Sequence, residues 1–165
     1  MDRIDRFISY SERVGNVNTI IPAAEIELEL KKGAAQKRYV KAHRFGLAPL
    51  QPDIDEKGID EAVVEADYGI AETGTLVIDS TQEDLRLATM ISEIHVALLT
   101  VESIVDSAAD IERQLQSMMQ AEGNYTAMIT GPSRTADIER VLALGVHGPL
   151  QLYVLLIGND HAGSH

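Results

Sequence analysis

Cysteine is absent from the 165 residues. No disulfide can form, and the thiolates that normally hold iron–sulfur clusters are missing, so any such redox centre must sit on another chain. Positive charge is scarce as well. Lys and Arg number 14 against 26 Asp and Glu, a formal net charge of −12. A surface this acidic repels a phosphate backbone, which argues against nucleic acid as a partner. No apolar run approaches membrane-spanning length, and the charged start MDRIDRFISYSERVG lacks the apolar centre of a signal peptide. A cytoplasmic protein with no membrane partner is therefore expected. The 5 prolines are scattered, no low-complexity stretch occurs, and 45% of residues are hydrophobic. One compact domain over residues 1–165 follows. There is no Walker loop, no GxGxxG and no GxSxG, which disfavours the common nucleotide hydrolases, dinucleotide dehydrogenases and serine hydrolases. No HxxxH or HxH pair is present either, so no metal site is expected.

The elements are legible from apolar spacing. Ile4, Phe7, Ile8 and Val14 share a helical face, and Gly15 supplies a stop. In AAEIELELKK the alternation of Ile26, Leu28 and Leu30 suggests a strand, but the residue types and Pro22 at a first turn favour a helix. LAPLQPDIDEK reads as an extended connector leading to a short helix around residues 60–65. Residues 67–72 and 75–79 read as strands joined at Thr73-Gly74. The nearly continuous apolar run from His95 to Thr100 reads as a central strand covered on both faces. After it, Ile104, Ala108, Ile111, Leu115 and Met118 form one stripe of a helix packed on the sheet, with Met118 and Met119 as core filling. Residues 125–130 and 150–157 read as further strands, and ADIERVLAL between them as a helix ended by Gly145. Strand and helix thus alternate through the second half, the pattern of a mainly parallel sheet flanked by helices.

Three polar motifs fall at or just beyond strand ends, where an α/β sheet tends to place its ligand site. In Ala71-Glu72-Thr73-Gly74-Thr75 an acid opens a glycine turn and could serve as base, nucleophile or acceptor; equally, Glu72 could pair with an arginine and Gly74 be chosen for backbone freedom. In Thr130-Gly131-Pro132-Ser133-Arg134-Thr135, free N–H groups at a helix start could receive a carboxylate or phosphate, with Arg134 as a bidentate clamp. Against that, Asp137 and Glu139 sit in the first turn, and Ser133 or Thr135 could simply be the N-cap. Gly145-Val146-His147-Gly148-Pro149 puts a histidine that titrates near neutral pH on a turn before the last strand, while His95 opens another strand; both also suit hydrogen-bonded structural roles. The basic residues Lys31, Lys32, Lys37, Arg38, Lys41, His43 and Arg44 read better as partners for nearby acids or a solvated face than as a binding patch.

Taken together, ADYGIAETGTLVIDS, IHVALL, ITGPSRTADIE and LGVHGPLQLYVLLI resemble, in order and spacing, the signature blocks of lactate-utilisation (LUD) domain proteins of the LutC/YkgG type. The resemblance spans residues 60–157 as the core, with a divergent or shortened, helical N-terminal portion at 1–59 and a polar tail at 158–165. It implies a Rossmann-like, mainly parallel α/β fold like that of glucosamine-phosphate deaminase, ribose-phosphate isomerase and CoA transferases. It further implies a non-redox accessory role in oxidation of L-lactate to pyruvate, beside iron–sulfur subunits, with no cofactor in this chain. A small anionic metabolite would meet Thr73, Gly74, Thr75, Gly131, Ser133, Arg134 and Thr135, with Glu72 and His147 as acid, base or orienting groups. An enzyme reading rests on the likeness of Glu72-Thr73-Gly74 to the Glu-Asn-Gly segment of CoA transferases. Threonine stands in place of that asparagine, and no glycine-rich oxyanion loop is evident upstream; sugar-phosphate isomerisation and a non-catalytic binding module stay open, as does a homo-oligomer.

Overall fold

The computed structural model describes residues 1–120, 122–132 and 148–158. Helix α1 (Arg3–Arg13) begins where the Asp2 carboxylate accepts the Asp5 N–H at 2.9 Å, and ends as expected at Gly15, whose φ is 95°. Strand β1 (Val17–Ile21) follows. Pro22 then opens a single 3-10 turn leading into α2 (Ile26–Lys31). Ile26 and Leu30 are buried one turn apart while Leu28 is 62% exposed, so helical spacing wins over the alternating pattern.

Strand β2 (Arg38–Lys41) precedes the connector, and β3 (Ile59–Glu65) stands where a short helix is expected from the sequence. That expectation is corrected by coverage. Ala62, Val63 and Val64 are buried on both faces of the sheet, an environment that β-branched residues fill well in extended backbone. β4 (Tyr68–Ile70) and β5 (Thr75–Asp79) are the two strands expected on either side of Thr73-Gly74, and they pair antiparallel. Helix α3 (Glu83–Ile91), not singled out in the sequence, leads into β6 (Ser92–Thr100). A second correction concerns Ile104, which opens the short strand β7 (Ile104–Val105); the helix α4 (Glu112–Gln120) starts only after a 3-10 turn at Ala108–Ile111. β8 (Thr126–Ile129) and β9 (Gln151–Ile157) complete the described elements.

Five strands form a wholly parallel sheet in the order β1-β9-β6-β3-β2, with β6 in the middle as its apolar run requires. A smaller sheet, β7-β4-β5-β8, is mixed. The N-terminal portion therefore supplies both edge strands of the large sheet as well as α1 and α2. One face of that sheet packs with α2 through Ile26, Leu30, Val63 and Leu98. The other packs through Ala62, Ala97, Leu99 and Val154 on Phe7 of α1, Leu85 of α3 and Leu76 and Ile78 of the small sheet. The expected helical stripe does cover a sheet, though the small one: Ala108, Ile111, Leu115 and Met118 pack on Ile70 and Val77. Among the described residues no helix is long and apolar enough to cross a membrane.

Candidate functional site

The Glu72-Thr73-Gly74 turn joins β4 to β5 and lies against the end of α1. Gly74 has a φ of 68°, and a Cβ built there would sit 2.5 Å from the Ser11 nitrogen, so both backbone freedom and close approach demand glycine. The Glu72 side chain is exposed and makes no ion pair among the described residues; its amide donates to the Asp106 carbonyl at 3.1 Å. An arginine partner for Glu72 is thus not found there.

A chain of hydroxyls leaves this turn. Thr73 Oγ1 donates to Thr75 Oγ1 at 2.8 Å, and Thr75 Oγ1 lies 2.9 Å from Thr130 Oγ1. The bond is dictated by register: β5 and β8 run antiparallel with Leu76 opposite Ile129, which brings the residues just before and just after them together. Asn16, 4% exposed, sends its Nδ2 to the Thr130 carbonyl at 2.8 Å and to Ser11 Oγ at 3.0 Å, tying the start of β1 to the same point. The first motif and the opening of the second therefore touch. Ser133, Arg134, Thr135 and His147 lie outside the described residues, as does the expected helix between them.

Gly131 and Pro132 on one side and Gly148 and Pro149 on the other line a cavity of about 410 Å³. It is lined further by His95 near the start of β6, Leu152 near the start of β9, and Tyr125, Thr126, Ala127 and Ile129 in and just before β8. The described ends of the second and third motifs thus meet between the two sheets, beside the amino halves of the parallel strands. They do not meet at the carboxyl edge, where ligands of open parallel sheets usually bind, because β8 belongs to the small sheet and Gly148-Pro149 precedes β9.

His95 is 1% exposed, and burial pushes its imidazole down to about 4, so it is neutral at physiological pH. Among the described residues its Nε2 has no hydrogen-bond partner, nor does the Thr126 hydroxyl. Each such atom costs roughly 1–3 kcal/mol. Arg86 borders the same space; its Nη1 donates to the Ser80 and Thr81 carbonyls at 2.9 and 3.0 Å, and its guanidinium stacks 4.3 Å from the Tyr125 ring centre. Arg86 and Thr126 carry no motif in the sequence. Only the strand-opening position of His95 offered a hint.

The basic stretch is spent mainly on acids. Lys32 pairs with Glu29, Lys37 with Asp55, Arg38 with Glu61, and Arg44 with both Glu65 and Asp67. Burial raises the Asp67 carboxyl, opposed by an amide bond from Asp79 and by Arg44. Among the described residues no group of three or more His, Asp or Glu side chains is arranged to hold a metal.

Comparison with known proteins places this geometry. The family model for the LUD domain matches residues 55–157. The chain belongs to the LUD domain family. Relatives of this LUD domain include an uncharacterized protein of Neisseria meningitidis, 35% identical over 94% of this chain and 67% of its own length. Lactate utilization protein C of Deinococcus radiodurans is 27% identical over 93% of this chain and 77% of its own length. Other matches, YkgG and five further lactate utilization protein C chains, are longer, and this chain spans 39% to 51% of their length. In fold, the LUD domain is similar to the crystal structure of a DUF162 family protein from Deinococcus radiodurans, with a TM-score of 0.70 at 21% identity, covering 96% of this chain and 99% of that one.

Proposed function

We propose that the protein is a lactate utilization protein C-type accessory subunit, one that binds a small carboxylate and works beside iron–sulfur partners in oxidising L-lactate to pyruvate. The similarity to the Deinococcus radiodurans lactate utilization protein C along nearly the whole chain carries this reading. Lactate oxidation releases two electrons and two protons. With no cysteine of its own to ligate a cluster, the chain would leave the electrons to clusters on partner subunits. Its own share would be to hold the acid, at the segment that starts with Gly131 and carries Ser133, Arg134 and Thr135. The bond between Thr75 and Thr130 supports this by tying the residue just before that segment to the Glu72 turn.

Two measurements test the reading. Calorimetric titration of the chain with L-lactate and pyruvate should show binding that Arg134→Ala weakens roughly tenfold or more, as loss of a bidentate charge contact would. Unchanged affinity would remove that contact. The tagged chain, purified from its native cells, should bring down proteins with iron–sulfur absorbance, whereas a lone monomer with intrinsic turnover would overturn the accessory role.

A further inference from the structure

The large sheet has two edge strands, and the fold treats them differently. At β2 the connector covers the edge: the Val40 N–H donates to the Leu50 carbonyl at 2.9 Å and the Leu50 N–H to the Val40 carbonyl at 3.1 Å, while Arg38 and Lys41 put charge on the strand. Cover and charge are two of the devices by which a sheet keeps its edge from pairing with another chain. β1 has neither among the described residues. Val17–Ile21 reads VNTII, without charge or proline, and Val17 and Ile20 stay 49% and 47% exposed. The Ile21 carbonyl accepts the Gly158 N–H at 3.2 Å, and successive residues of a parallel strand turn their N–H and C=O groups to alternate sides. Val17, Thr19 and Ile21 therefore bond to β9, and Asn18 and Ile20 point theirs outward. Among the described residues no group meets those outward amides and carbonyls.

We propose that the protein forms a homodimer in which β1 pairs antiparallel with β1 of a second copy, about a two-fold axis at Thr19. This inference is independent of the lactate reading. The open backbone groups are symmetric about that residue: Asn18 of each copy stands opposite Ile20 of the other, and each such pair exchanges both of its backbone bonds. Thr19 then faces its own copy in the closer, non-hydrogen-bonded position, where paired threonines stabilise a sheet. Val17 comes beside Ile21 and Ile20 beside Asn18, so both exposed apolar side chains gain cover. Charge favours the same partner. With a net charge of −12 two copies repel unless they meet where charge is missing, and residues 14–24 form an uncharged run centred on Thr19. Arg13 precedes that run and Glu25 follows it, so an antiparallel approach turns the basic end of each run toward the acidic end of the other. A two-fold contact of this kind uses up both open edges and stops at the dimer.

Light scattering on the full chain should give twice the mass of one chain. Ile20→Lys puts a charge on each edge, and Ile20→Pro removes an N–H that the single chain leaves unbonded; each should shift the protein to monomer while its circular dichroism is kept. Because the chain has no cysteine, Thr19→Cys is a direct probe of the axis. Across a non-hydrogen-bonded pair the Cα atoms lie about 4.5 Å apart, within disulfide reach, so mild oxidation should link the copies in high yield. Val17→Cys, opposite Ile21 rather than itself, should link poorly. These two probes decide the matter even if the Ile20 variants fold badly. A monomeric wild type, a dimer that survives both Ile20 substitutions, or equal linking at positions 17 and 19 overturns the proposal.

Discussion

A neutral histidine in an apolar interior sets the acid limb of stability. Burial brings His95 from 6.5 to about 4, so between those values the unfolded chain holds a proton that the folded chain does not. Stability contributed through this group then rises with pH across that window, at up to about 1.4 kcal/mol per unit, and is level above it. Urea denaturation at pH 4.5 and pH 7 should show His95→Leu losing about 2 kcal/mol less on acidification than the wild type; equal losses would mean that His95 takes no part. Period-two alternation already puts His95 on one face with Ala97 and Leu99. That this face is the one roofed by the small sheet cannot be read from β6 alone, since the roof comes from residues on other strands. Glu72 is the converse case. Its motif is plain in the sequence, yet its side chain ends in solvent, because the turn is held by its glycine and hydroxyls.

At the scale of elements, β3 is the instructive error. IDEAVVE has a glutamate where a two-sided apolar strand should have none, and local pattern alone favours a helix. The charge is met from the neighbouring strand: Arg38 and Glu61 face each other in the β2–β3 register, with Arg38 Nε donating to Glu61 Oε1 at 2.6 Å and Nη2 to the Leu30 carbonyl. Both side chains are mostly buried, 20% and 7% exposed. Removing one partner strands the other, so Arg38→Met should cost about 3 kcal/mol or more in urea unfolding. Arg38→Met with Glu61→Met should recover most of that loss. A double-mutant cycle showing simple additivity would mean that the pair is not coupled. The run from Ile104 to Met118 makes the same point more mildly: helical spacing is kept by its later members, but Ile104 is claimed by pairing with Gly69 as β7.

For the molecule as a whole, the join between the two sheets is what makes one domain. Phe7 is wholly buried there, its ring within 3.0 Å of where a Cβ on Gly69 would stand. Phe7→Ala should cost roughly 3–5 kcal/mol, read as a lowered urea midpoint with a single transition kept; a loss under 1 kcal/mol would show that α1 is dispensable. The family signature, the central apolar strand, the two strands joined at Thr73-Gly74 and the α1 and α2 helices were all present in the sequence, because composition and apolar period act over a few neighbouring residues. Tertiary structure alone decided that β1 and β2 become the two edges, that residues 59–65 are a strand, and that the described ends of the second and third polar motifs meet beside the amino halves of β6 and β9. Those outcomes depend on register and on which face another element covers, and both are settled by contacts between residues far apart in the chain.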